Sequence, residues 1–235
     1  MEKIVYIVWK DPALDDSAFV ECMTGQVREE LEELGVRGLS MNLVDVEAAD
    51  CSAARITKFD PPMAGTVSLW LDLCDEVAPY ERVIAGATQR KAGYLVVESV
   101  PMRNTLHPSE SGCRTPGINV VACIERPARI SYEEWIRHWH GRHKRVALET
   151  QCSFQYVRNV VVRPLTEDAP PWAGIVEESF PTAAVTDPML WYCGDGSQEK
   201  MTQNITAMME SVQVFLDIDR VESNPMSEFR FKEIG

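Results

Sequence analysis

Between Ser131 and Val146 the chain reads SYEEWIRHWHGRHKRV, a stretch holding three of its four histidines and two of its six tryptophans. Arg137, Arg142, Lys144 and Arg145 lie between Glu134 and Glu149 with no acidic residue among them, an island of positive charge in a chain of net charge −13. A neutral imidazole can take or give a proton near pH 7, and a cationic patch steers anions toward it. Indole rings alongside can flank an aromatic ring. Those residue types together suit proton transfer on an anionic aromatic molecule.

Ser131 and Glu134 form a capping box, so a helix starts at the left edge of this stretch. At about 100° per residue, Tyr132, Trp135, Trp139 and Val146 share one stripe and His143 sits on its edge. His143 is therefore the candidate acid/base. Burial beside cations is expected to lower its pKa and keep it neutral. His138 is expected to point away from the stripe and hold a backbone hydrogen bond. Gly141, unfavourable in a helix interior by about 1 kcal/mol relative to Ala, suggests close approach by backbone or ligand. A metal is not expected: His140 and His143 lack a supporting Cys, Asp or Glu, and His138 is read as facing elsewhere.

The elements that position these side chains are written twice. VYIVWKDP (5–12) aligns with VVACIERP (120–127), and PPMAGTVSLWLD (61–72) with PPWAGIVEESFP (170–181). Similarity at half the chain length implies two copies of one unit. Each copy reads strand, helix, strand, strand, helix, strand, the ferredoxin-like order. In copy one, 3–9 is a strand, and Phe19, Met23, Val27, Leu31 and Leu34 line a helix that Gly35 stops. In copy two the expected elements are 118–125, 131–150, 153–163, 173–180, 187–211 and 212–219. The fold class is α+β: a unit over 1–105, a linker over 106–117 and a second unit over 118–235. Strand 3–9 is apolar on both faces, so both must be covered, which pairs the two antiparallel sheets into one α/β barrel. Aligning Phe19 with Trp135 sets Met23 beside Trp139 and Val27 beside His143. Copy one reads as scaffold and copy two as the chemically equipped half.

Composition narrows the function. An apolar content of 45% supports a real core, while the acidic balance argues against nucleic acid or an anionic membrane as partner. The start holds only a short apolar run, so a soluble cytoplasmic protein is expected. The seven cysteines contain no C-x-x-C and read as small buried hydrophobes.

The run SYEEWIRHWHGRH, with FQYVRNVVV and FLDIDRVESNPMSEFRF after it, resembles the EthD-domain proteins of the dimeric α/β-barrel superfamily. The resemblance covers most of copy two and implies paired ferredoxin-like units. It carries over to His138, Trp139, His143, Tyr156 and Asn159, and also to Phe215 and Asp217. The superfamily includes cofactor-free decarboxylases and cyclases, monooxygenases and haem enzymes, and fold alone does not choose among them. The leading expectation is a cofactor-independent lyase that decarboxylates an aromatic or phenolic carboxylic acid of lignin or polyketide origin. His143 would move the proton, Tyr156 would support a developing oxyanion, Trp139 would flank the ring, and Arg137 or Arg158 would meet the carboxylate. Alternatives are a cofactor-free cyclase or monooxygenase, a non-catalytic small-molecule binder, and a haem protein with a histidine ligand. A small aromatic acid is the expected partner, and a homodimer is allowed.

Overall fold

The computed structural model describes residues 1–234. Eight strands close into one antiparallel barrel in the order β1-β3-β2-β8-β5-β7-β6-β4. They are β1 (Glu2–Trp9), β2 (Gly38–Leu43), β3 (Gly65–Leu71), β4 (Arg90–Met102), β5 (Ile118–Ile124), β6 (Gln155–Pro164), β7 (Gly174–Phe180) and β8 (Glu222–Lys232). The first four pair as β4-β1-β3-β2 and the last four as β6-β7-β5-β8, each the ferredoxin-like arrangement. Two seams join them, β2 to β8 and β4 to β6, both hydrogen-bonded. Closure leaves no strand edge exposed.

Helices cover the outer face. In the first half these are α1 (Asp16–Cys22), α2 (Arg28–Glu33), the short α3 (Val46–Asp50) and α4 (Ala78–Ala87). In the second they are α5 (Tyr132–Arg137), α6 (Lys144–Thr150), the one-turn α7 (Pro188–Trp191) and α8 (Gln198–Phe215). The expected helix over 131–150 is thus interrupted. Its middle, His138–His143, is a π turn, and Met23–Val27 is a π turn at the matching place between α1 and α2.

Strand alternation follows the two-faced reading of β1. Ile4, Tyr6 and Val8 pack under the helices with Phe19, Met23, Val27 and Leu31, whereas Val5, Ile7 and Trp9 face inward with Val121, Cys123 and Ile175. Each fully buried apolar side chain contributes roughly 1.5–3 kcal/mol. The barrel interior turns polar toward its other end, where Lys3, Asn42, Asn119, Gln155, Glu177 and Glu228 are all buried.

Two sequence expectations shift. The Pro-Pro-x-Ala-Gly segments are equivalent, but Gly65 pairs with Val8 and Gly174 pairs with Ile124. The 5–12 and 120–127 alignment is therefore one residue out, a slip that turns every strand side chain to the wrong face. The last strand is not 212–219. α8 runs on to Phe215, burying Met208, Ser211 and Phe215, and the strand is β8. Three of its inward residues, Glu222, Asn224 and Glu228, are polar, and Pro225 lies within it, so it lacks the apolar alternation that marks a strand.

Candidate functional site

The π turn decides what the histidines do. At 100° per residue, His138 and His143 would lie well apart, but an i→i+5 turn stacks residues five apart on one face. His138 Nε2 donates to the Ser211 carbonyl at 2.9 Å, and His143 Nδ1 lies 3.1 Å from the Ser211 hydroxyl. Both rings meet Phe215, with centroids 5.5 and 4.5 Å away. His138 thus points inward, contrary to the expectation, while its backbone hydrogen bond is present. The turn also moves the later stripe by one residue, so that Ala147 is buried in place of Val146. Gly141 has no atom within 4 Å of where a Cβ would stand. Close approach by protein backbone, one of the two readings of this glycine, does not occur.

Beneath the helix, Trp139 lies against Gly174, whose absent Cβ would sit 2.6 Å from the indole. Trp135 packs on Trp139 with ring centroids 4.8 Å apart. From β6, Tyr156 and Arg158 face the helices, the guanidinium lying over the Tyr156 ring at 5.7 Å. Arg158 Nε donates to Ser99 Oγ at 3.2 Å, while its Nη1 is buried without a partner. Opposite Tyr156 in the ladder stands Glu178 of β7. Its Oε1 is also buried and unpartnered, and so is His140 Nε2. A cation and a carboxyl one diagonal step apart on the same sheet face, with no ion pair between them, leave polar capacity for a third party.

Protonation follows from these surroundings. Burial, then His138 and Arg158, lower His143 to about 4, and burial with Arg158 and Lys144 takes His140 to about 4. His143 is neutral at pH 7, as expected. Burial pushes Glu178 up to about 7. Burial and then Glu178 raise Tyr156 far above its ordinary value, with Arg158 and the Trp139 indole opposing. Tyr156 is a proton donor throughout the neutral range.

Not every expected site residue joins this group. Asn159 alternates to the barrel interior and donates to Glu177 Oε1 at 2.8 Å. Arg137 is exposed on the far side of α5. Asp217, past the end of α8, pairs with Arg129 at the surface. His138, Trp139, His143, Tyr156, Arg158 and Phe215 do converge.

Glu178 was not anticipated from the sequence. The ladder gives the means to recognise it. Counting from Gly65 and Gly174, the buried Leu39, Met41 and Leu69 of the first half correspond to Tyr156, Arg158 and Glu178. Along the helix, Met23 and Val27 correspond to Trp139 and His143. Four apolar positions that pack together in one half carry a phenol, a guanidinium, a carboxyl and an imidazole in the other.

No family model and no curated protein sequence matches the chain. Solved structures do resemble it. A putative monooxygenase from Lactobacillus acidophilus NCFM has a TM-score of 0.52 at 6% identity, covering all of this chain and 96% of that one. A putative monooxygenase from Fusobacterium nucleatum gives 0.50 at 7% identity, covering 99% and 97%. An anthrone oxidase-like protein gives 0.49 at 10% identity, covering 100% and 94%. At such identities the likeness is one of fold, a barrel of ferredoxin-like units.

Proposed function

We propose that the second half is the active half of a cofactor-independent enzyme acting on a phenolic or otherwise enolisable aromatic acid, most concretely a monooxygenase. The observation that carries this reading is the replacement of four apolar core positions by Tyr156, Arg158, Glu178 and His143 on one helix-covered face. Burying that many polar groups without mutual pairing costs stability, which a packing role does not explain. Neutral His143 takes the proton from the substrate. Arg158, with Nη1 unused, and the Tyr156 hydroxyl hold the resulting oxyanion. Glu178, titrating near neutrality, returns or removes a second proton. The Trp139 and Phe215 rings bound the aromatic body.

The anion so formed is electron-rich enough to react with dioxygen directly. A ring CH2 loses a proton, its carbon bonds one oxygen, and loss of water from the hydroperoxide leaves a carbonyl: CH2 plus O2 gives C=O plus H2O. Two solved structures of this fold are described as putative monooxygenases, which lends weight to this branch. Decarboxylation, the leading expectation from sequence, gains nothing from those comparisons. The EthD resemblance of the histidine helix is compatible with either. An oxygen electrode and a CO2 trap, run against a panel of anthrones and phenolic acids, test the reading. Oxygen uptake matching product formation supports it; CO2 release without oxygen uptake returns the site to decarboxylation. Binding without turnover of any panel member removes the enzymatic reading, and His143→Ala with full turnover removes the acid/base role.

A further inference from the structure

The barrel interior ends in a cavity of about 350 Å3, lined by strands of both halves. It lies on the opposite side of the sheet from the histidines. Its floor is Lys3, whose Nζ is 2.5 Å from Glu98 and 3.5 Å from Glu177 and sits 4.7 Å from the Trp70 ring centroid. The inner carboxylates are already engaged. Glu177 accepts from Asn42 at 3.0 Å and Asn159 at 2.8 Å, and Glu228 accepts from Gln155 and Thr115, both at 2.9 Å. Arg230 spends Nε on Glu228 at 3.2 Å and Nη2 on Gln155 at 3.0 Å.

The cations of the rim are not engaged in the same way. Arg103 is exposed and enters no ion pair among the described residues. Lys232 is exposed and, among the described residues, donates to the Val36 carbonyl at 2.7 Å and enters no ion pair. Arg230 Nη1 enters no hydrogen bond among the described residues. Arg230 is already paired with Glu228, so among the described residues two cations without an ion pair, Arg103 and Lys232, stand against one rim carboxylate, Glu233. In a chain of net charge −13, a mouth whose unspent charge is positive selects anions from solution. The apolar part of the wall is Val100, Val157, the Trp70 face and Ile234, with Ser40, Asn104 and Thr105 beside them. That mixture, a few convergent polar groups on an apolar wall, is the usual make-up of a small-molecule site. We propose that the barrel mouth is a second ligand site, separate from the histidine site, for a small organic carboxylate with an apolar body. The carboxylate meets Arg103 and Arg230, and the body lies along Trp70, Val100 and Val157.

Benzoate is a suitable probe, followed by methyl resonances of Val100, Val157 and Ile234. Saturable shifts at these methyls are expected, with inorganic phosphate and benzyl alcohol each binding at least about tenfold more weakly, since each lacks one half of the recognition. Arg103→Ala is expected to weaken benzoate about fivefold or more; the side chain is exposed, so folding is not at stake. His143→Ala should leave these shifts unchanged, which separates this site from the proposed active half. Benzoate shifts confined to Val160 and Val176 under the helices, or absent from the mouth methyls, would overturn the proposal. So would phosphate binding equal to benzoate, or Arg103→Ala without effect.

Discussion

The two halves of the barrel share strand order, helix placement and even the π turn, yet they use the space between helices and sheet in opposite ways. In the first, Met23, Val27, Leu39, Met41 and Leu69 close it as core. In the second, the same positions hold Trp139, His143, Tyr156, Arg158 and Glu178, and Arg158 and Glu178 each carry a buried polar atom that no described protein group satisfies. Position in the fold therefore does not decide whether a residue packs or reacts. The side chain does, and the first half shows what the second would look like without chemistry.

Converting one half into the other is the strongest way to break that contrast. The variant His143→Val, Tyr156→Leu, Arg158→Met, Glu178→Leu should keep its fold, denature at higher temperature and lose turnover by well over the ~10² that a single acid/base supplies. Retained turnover, read alongside the melting curve, would end the distinction between scaffold and active half. Arg158→Met alone should cost about 10² or more through the lost oxyanion contact.

The neighbouring glutamates sharpen the comparison by pH. For Glu177, burial is overcome by Lys3, Asn42 and Asn159 and the pKa falls, whereas for Glu178 nothing opposes burial and it rises to about 7. Because the folded state holds the Glu178 proton more tightly than the unfolded chain, its contribution is full below pH 4.5 and is lost as pH climbs through about 7. Urea denaturation of Glu178→Gln and wild type should therefore converge near pH 5 and separate by up to about 3 kcal/mol at pH 8, the variant being the more stable. Parallel curves would mean that Glu178 has a partner in solution. His143 has the opposite sign: its lowered value means stability is lost as pH falls from 6.5 toward 4, and that loss should vanish in His143→Gln.

Glycines give the smaller tests. Gly174→Ala drives a methyl into the Trp139 ring and should cost about 1–3 kcal/mol by overpacking, with a drop in turnover as the indole shifts. Gly25→Ala and Gly141→Ala meet no atom within 4 Å and have ordinary φ, so each should raise stability by about 0.5–1 kcal/mol. Unequal gains, read from melting temperatures, would mean that the two π turns are not alike.

Much of this could be read from residue order alone. The doubled unit was legible because Pro-Pro-x-Ala-Gly recurs, and Trp139 and His143 because helix periodicity puts them on or beside one stripe; Tyr156 came from the family resemblance, and Arg158 only as one of two candidate cations. Other features escaped. The inward turn of His138 depends on a π turn, although its trace is visible in retrospect: Phe19, Met23, Val27 and Leu31, like Trp135, Trp139, His143 and Ala147, recur strictly every fourth residue, wider than the 3.6 of an α-helix. Asn159 was misplaced because a motif match ignores which way alternate strand residues face. β8 was missed because Glu222, Asn224 and Glu228 interrupt its inward row around Met226, and no local pattern announces that a barrel interior will accept buried polar groups. Glu178 needed the ladder, since only pairing across strands identifies Leu69 as its counterpart.

The seams have a further consequence. In a barrel made of two identical chains, every substitution appears twice, so a polar group that is useful in one layer would burden the other equally. Here β2 joins β8 and β4 joins β6 within a single polypeptide, and the halves are free of that constraint. One half can be tuned for rigidity and the other can tolerate frustration, the first acting as a mould that keeps the second in shape while its own interactions remain unsatisfied.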